Sequence, residues 1–228
     1  MSGLLHRLNR TLKGRKETYD APVQSDSIAS NLETNTSLLE RLKANSHVFV
    51  DLSSLKGATE TETPFGKCFQ LVTRFALDSL HGRVPLEGAY RADCSLLESL
   101  VGDSRLRDFL PEGALFLDIE ATGLDHGAGT FAFMVGLGYR EGSGFIVKQL
   151  FLPEMHEERP MLHVLKEHLD GFEYLISFNG KSYDLTVLQS RMVLQRLYTT
   201  DECNLKLQPH LDLLHLARNL YRNCFPDT

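Results

Sequence analysis

Residues Ala114–Gly123 read ALFLDIEATG, an apolar run that ends in two carboxylates just ahead of a glycine. Side chains alternate along a strand, so Asp118 and Glu120 share one face while Ile119 points to the other. About 7 Å apart, the two carboxylates repel each other unless a cation lies between them or one holds a proton. A divalent-metal site built on a sheet is one reading of this pattern. The other is an edge strand with its polar face in water.

Downstream of Glu112 the hydrophobic pattern is clean. A strand over 115–120 leads through a Gly-rich loop to a strand over Thr130–Tyr139. Glu141–Gly144 (EGSG) is a hairpin turn, and Phe145–Leu152 returns as a third strand. Pro160–Leu169 has helical spacing, with Leu162, Leu165 and Leu169 on one side. Tyr174–Phe178 is a short buried strand and Leu185–Leu197 a helix. Pro209–Leu213 is a strand end running into a helix over Leu214–Tyr221. This order predicts an α/β layer with a mixed sheet, an antiparallel meander followed by parallel strands.

Upstream the signals are weaker. Residues 1–16 place Leu4, Leu5, Leu8 and Leu12 at helical spacing among five basic residues and no acid. They read as an arm touching nucleic acid or an anionic surface, or as a solvated helix packing its leucines on the body. Residues 17–37 are a polar linker, so 1–45 is assigned as basic amphipathic arm and linker. The region 46–111 is poorly patterned, with strands expected at Val48–Leu52 and Cys68–Ala76 and a helix over Leu96–Leu110. Glu60, Glu62 and His81 there read as solvated positions rather than ligands.

Charge and cysteine usage restrict the function classes. The formal charge of −6 hides +5 on residues 1–16, leaving −11 on the other 212. An acidic body does not suit a general duplex-DNA binder. It does not exclude a nuclease, because bound metal ions bring positive charge to the site. The scattered Cys68, Cys94, Cys203 and Cys224 lack zinc-ribbon spacing and read as reduced thiols, which predicts a cytoplasmic protein. No apolar run reaches the roughly 18 residues of a membrane span.

A second constellation, Ser177–Asp184 (SFNGKSYD), falls where the fourth strand meets the next helix, the position where open sheets bind ligands. Taken alone, Asp184 reads as a helix cap and Asn179 as a turn residue holding Gly180 in its bend. Taken together, FLDIEATGL (Phe116–Leu124), GAGTFAFMVGLG (Gly127–Gly138), SFNGKSYDLTVLQSR (Ser177–Arg191) and PHLDLLHLAR (Pro209–Arg218) resemble the ribonuclease-H-like DEDD exonuclease superfamily. More narrowly, they resemble the bacterial YprB-type ribonuclease H-like domain family. The resemblance covers about Glu112 to Arg222.

The resemblance implies a three-layer ribonuclease H-like domain over 112–228 and a two-metal 3′–5′ exonuclease acting on ends of single-stranded DNA or RNA. Asp118, Glu120 and Asp184 map onto the first three acidic positions of the family. They would hold two Mg²⁺ or Mn²⁺ ions roughly 4 Å apart. Thr122, Gly123 and Leu124 would lie along the terminal nucleotide, with Leu124 wedged against a base. Asn179 would position the scissile strand and Lys181 meet a phosphate. Asp212 precedes the helix that carries the family's fourth acid, so a cap or a supporting role is expected of it. The fourth acid and its general base are expected beyond Thr228, leaving this domain C-terminally incomplete. Asp227, His210 and His215 do not replace them, and a partner chain or a further segment would complete the site. Without them, the alternative is a catalytically weak or inactive nucleic-acid-binding module. A haloacid-dehalogenase-like phosphatase is disfavoured, since Glu120 stands where that group has a second aspartate and the SFNGKSYD motif has no place in it.

Overall fold

The computed structural model describes residues 57–123, 129–198, 205 and 208–221. The basic arm and linker, Val48–Leu52, Leu124, Cys203, Cys224 and Asp227 lie outside them. Nine strands and four α-helices are described: β1 (Ala58–Thr63), β2 (Gly66–Ala76), β3 (Leu80–His81), β4 (Val84–Pro85), α1 (Leu97–Val101), β5 (Ala114–Ala121), β6 (Ala132–Glu141), β7 (Gly144–Phe151), α2 (Glu158–Gly171), β8 (Tyr174–Ser177), α3 (Asp184–Leu194), β9 (His210–Asp212) and α4 (Leu213–Tyr221). Seven strands form one sheet in the order β1-β2-β7-β6-β5-β8-β9, and β3 and β4 form a separate small hairpin. Pairing is antiparallel from β1 to β5 and parallel across β5, β8 and β9. Among the described residues, no helix is long and apolar enough to cross a membrane.

Alternation on β5 assigns the two faces of the sheet. Leu115, Leu117 and Ile119 join one buried cluster with Leu162, Leu165 and Leu169 of α2 and Leu185, Leu188 and Met192 of α3. Ala114 and Phe116 face the other way and pack with Leu97, Leu106, Phe109, Ile176, Leu211, Leu213 and Leu216, which brings α1 and α4 onto that side. The result is helix, sheet, helix, the three-layer arrangement expected from the sequence. Asp118 and Glu120 continue the Phe116 face beyond the last apolar residue, and Asp118 is exposed.

Two expectations upstream of Glu112 are corrected. The boundary at residue 112 does not divide the sheet, because β2 pairs along its length with β7 and β1 pairs with β2. The β1 sequence, ATETET, has no apolar face for periodicity to register, and Glu60 accepts from Lys67 across that pair at 2.7 Å. The helix expected over Leu96–Leu110 is also broken. It stops after Val101, where Gly102 takes φ 74°, a left-handed conformation that ends helices. Asp103 then accepts the Arg105 N–H at 3.1 Å and caps a short 3₁₀ turn over Ser104–Leu106. Leu97 and Leu106 are buried, whereas Leu96 and Leu110 are exposed.

One buried ion pair joins the two helices of the first face. Arg191 of α3 meets Glu158 of α2 through Nε–Oε1 at 2.6 Å and Nη2–Oε2 at 2.5 Å, and Gln195 also donates to Glu158. Both partners are almost fully enclosed, and the guanidinium lies 3.9 Å over the Phe131 ring. A pair this deep stabilises little relative to an apolar replacement, but removing one partner strands a buried charge. Glu158→Ala should therefore lose roughly 3–5 kcal/mol of unfolding free energy in urea titrations. Replacing both residues together, as Glu158→Leu with Arg191→Met, should restore most of that loss. Equal losses in the single and double variants would count against this account.

Candidate metal-dependent nuclease site

The site lies at the C-terminal ends of the parallel strands. In-register pairing runs Phe116 to Ile176 between β5 and β8, and Ser177 to Asp212 between β8 and β9. The three strands therefore end side by side, and the SFNGKSYD segment turns over their ends into α3. Asp184 is the first residue of α3. A carboxylate suits this position, where backbone N–H groups are unpaired and the helix dipole is positive.

Asp212 holds the turn in place. Its carboxylate accepts the N–H groups of Asn179 at 2.8 Å, Lys181 at 3.1 Å and Leu214 at 3.1 Å. Burial raises its pKa, but these N–H bonds more than offset that and leave the carboxyl below its ordinary range. At 2% exposure, Asp212 is a backbone anchor. His210, fully buried, pairs through Nε2 with the Ser177 Oγ at 2.8 Å, and that Oγ accepts the Gly180 N–H at 3.1 Å. Burial, aided by Lys181 and Arg105 and opposed by Asp212, lowers the His210 imidazole to about 4, so it is neutral near pH 7.

The two glycine-turn residues divide their work differently from the sequence expectation. Asn179 itself takes the left-handed conformation, at φ 65°. Gly180 does not have a positive φ; it is required because a Cβ there would sit 2.6 Å from Ser177 Oγ and 3.0 Å from Asp184 Oδ2. Gly180→Ala should destabilise the domain by about 1–3 kcal/mol through overpacking, as read from its urea midpoint. An unchanged midpoint would mean that Ser177 and Asp184 can move aside.

The loop after β5 is fastened at both ends. Thr122 donates its N–H to Phe131 O at 2.9 Å and accepts the Phe131 N–H on Oγ1 at 3.0 Å. Its polar groups thus clasp Phe131, whose ring supports Arg191. The Gly123 carbonyl accepts from Tyr183 Oη, which ties the first acidic motif to the residue before Asp184. Sequence reading did not single out Tyr183, Ser177 or the Arg191–Glu158 pair. The only signal for the pair was a charged residue within the apolar pattern of α3.

Asp118, Glu120, Asp184 and Asp212 share one electrostatic neighbourhood. Asp184 is 8% exposed, and burial, then Asp118, Asp212 and Glu120, push its carboxyl up to about 7. Gly136, paired with Asp118 on β6, puts no side chain beside it. The donors are all carboxylate oxygens, the type that Mg²⁺ and Mn²⁺ take, and excess negative charge suits a cation. Among the described residues, no three Asp, Glu, His or Cys side chains converge closely enough to hold an ion as they stand. The groups fit a divalent cation in charge and chemistry. Lys181 lies near His210 and Asp103, whose carboxyl is held at about 2, chiefly by Arg105.

Residues 115–225 match the family model of the RNase_H superfamily. This segment is a ribonuclease H-like domain, a nuclease-like or nucleic-acid-binding module. The chain is similar to the Uncharacterized protein YprB of Bacillus subtilis (strain 168), to which it is 32% identical over 110 residues. That alignment takes in 47% of this chain and 25% of the relative, so the chain spans about a quarter of that protein's length.

The raised Asp184 carboxyl has a stability signature. Its pKa rises from 3.8 to about 7 on folding, so the folded state holds this proton more tightly. The associated stabilisation is complete below pH 4 and is lost as pH climbs through 7. Asp184→Asn has no such ionisation. In metal-free buffer, its melting temperature relative to wild type should rise between pH 4 and pH 7.5. His210 titrates in both proteins and cancels in the difference. A difference that stays flat with pH would show that Asp184 is not perturbed by its neighbours.

Proposed function

We propose that this domain is a metal-dependent nuclease of the DEDD type, a 3′–5′ exonuclease hydrolysing phosphodiester bonds at single-stranded DNA or RNA ends. The observation that carries this reading is the gathering of Asp118, Glu120 and Asp212 near Asp184, whose carboxyl is pushed up to about 7 by burial first and then by these neighbours. Charge concentrated in this way beside a phosphodiester is tolerable only if cations join it. Ribonuclease H-like nucleases generally use divalent metals. Asp118, Glu120 and Asp184 would hold Mg²⁺ or Mn²⁺. Ions bound there would acidify an attacking water and neutralise the leaving 3′ oxygen. Asp212 would keep the turn at Asn179–Lys181 fixed through its N–H bonds, and Lys181 would meet a phosphate. The free thiols of Cys68 and Cys94 suit a reducing cytoplasm.

A second reading, a module that binds nucleic acid without cutting it, draws on the lack of three converged donors among the described residues. Calorimetry with Mn²⁺ separates the two. The nuclease reading expects wild type to bind the ion in a buffer free of other divalent cations, and Asp118→Ala to lose the heat. An end-labelled single strand should then shorten from its 3′ end only with the metal-binding protein. If neither protein takes up Mn²⁺ at millimolar concentration, the non-cutting reading stands in its place.

A further inference from the structure

The turn that Asp212 holds after β8 carries a large exposed aromatic. Phe116 and Ile176 are the last paired residues of the two strands, and both pack on the α1–α4 face. Two residues further along each chain come Asp118 and Phe178. Phe178 is the first residue after β8 and stands directly before Asn179, whose N–H the Asp212 carboxylate accepts at 2.8 Å. Phe178 is 62% exposed, although its neighbours Ser177 and Gly180 are buried. Asp118 has Gly136, without a side chain, on its β6 flank.

The ring is not on a loose segment. Ser177 before it is tied to His210, the Asn179 N–H after it to Asp212, and Gly180 back to Ser177. An exposed aromatic on fixed backbone loses little freedom when it takes a partner. An acidic neighbourhood disfavours an acidic peptide. A flat π-face suits a nucleobase, provided the base is free of its own duplex stack.

We propose that Phe178 is a stacking platform for an unpaired base next to the scissile phosphate. This rests on the nuclease or nucleic-acid-binding reading above. The base would lie over the ring while its phosphate approaches Asp118 and Lys181, so that stacking sets how far the strand advances.

Fluorescence anisotropy with the full 228-residue chain tests this. The probe is a phosphorothioate-linked, fluorescein-labelled single strand, with Mn²⁺ present. Phe178→Ala should weaken binding roughly ten- to hundred-fold, the range of one lost base–aromatic stack. Phe178→Tyr should bind like wild type, and Phe178→Leu should fall between. A strand with abasic sites at its 3′ end should bind wild type and Phe178→Ala alike, and a blunt duplex should bind both weakly. Tight strand binding by wild type with no loss in Phe178→Ala overturns the stacking role and leaves the nucleic-acid reading intact. An equal loss on the abasic strand also overturns it, assigning Phe178 to loop packing. No strand binding by folded wild type, as checked by circular dichroism, defeats the nucleic-acid reading and this inference together.

Discussion

Repulsion among like charges governs the arrangement at the C-terminal ends of β5, β8 and β9. Asp118 and Glu120 come from one strand, Asp212 from another and Asp184 from the helix that follows the third. Three of these carboxyls are accommodated by different physical means. Asp212 stays an anion because three backbone N–H groups point at it. Asp184 is buried, and burial together with the neighbouring carboxylates outweighs its backbone hydrogen bond and pushes its carboxyl up to about 7. Asp118 remains exposed to water. Chemically similar groups within one small region thus differ through their surroundings alone.

The architecture fixes this arrangement from both faces. The cluster containing α2 and α3 carries the buried Arg191–Glu158 pair, and Arg191 supports Phe131, which Thr122 clasps. The loop after β5 is thereby connected to the far end of α3. On the opposite face, Leu211, Ile176 and Leu106 seat β9 and β8 under α1 and α4, fixing Asp212 beneath the turn it holds. Position along the sheet comes from apolar packing, and orientation comes from a small number of hydrogen bonds.

Much of the second half of the fold was legible in the sequence because its hydrophobic periodicity is strong. ALFLDIEA, the EGSG turn and the leucines of α2 each mark their element within a residue or two of its observed limits. The first half was less legible. ATETET earns its place by pairing with β2 and not by burial, and a single glycine at 102 divides an otherwise helical leucine pattern. At the site, the acidic residues could be named because carboxylates at a strand end are conspicuous. What Thr122, Asn179 and Gly180 do could not be read, because it depends on distances between segments far apart in sequence. Gly180 is the sharpest example. The turn it occupies suggested a conformational need, whereas its actual constraint is the closeness of Ser177 and Asp184.

The polar edge strand β1 has a bearing on solubility in the crowded conditions of synthesis and storage. Among the described residues it forms one margin of the seven-stranded sheet, where unpaired backbone groups could template another molecule's strand. Its alternating threonines and glutamates, with Lys67 drawn alongside, place charge along that margin. At the opposite margin β9 is only three residues long. One border is guarded by charge and the other by brevity, so neither invites the edge-to-edge growth that leads to aggregates.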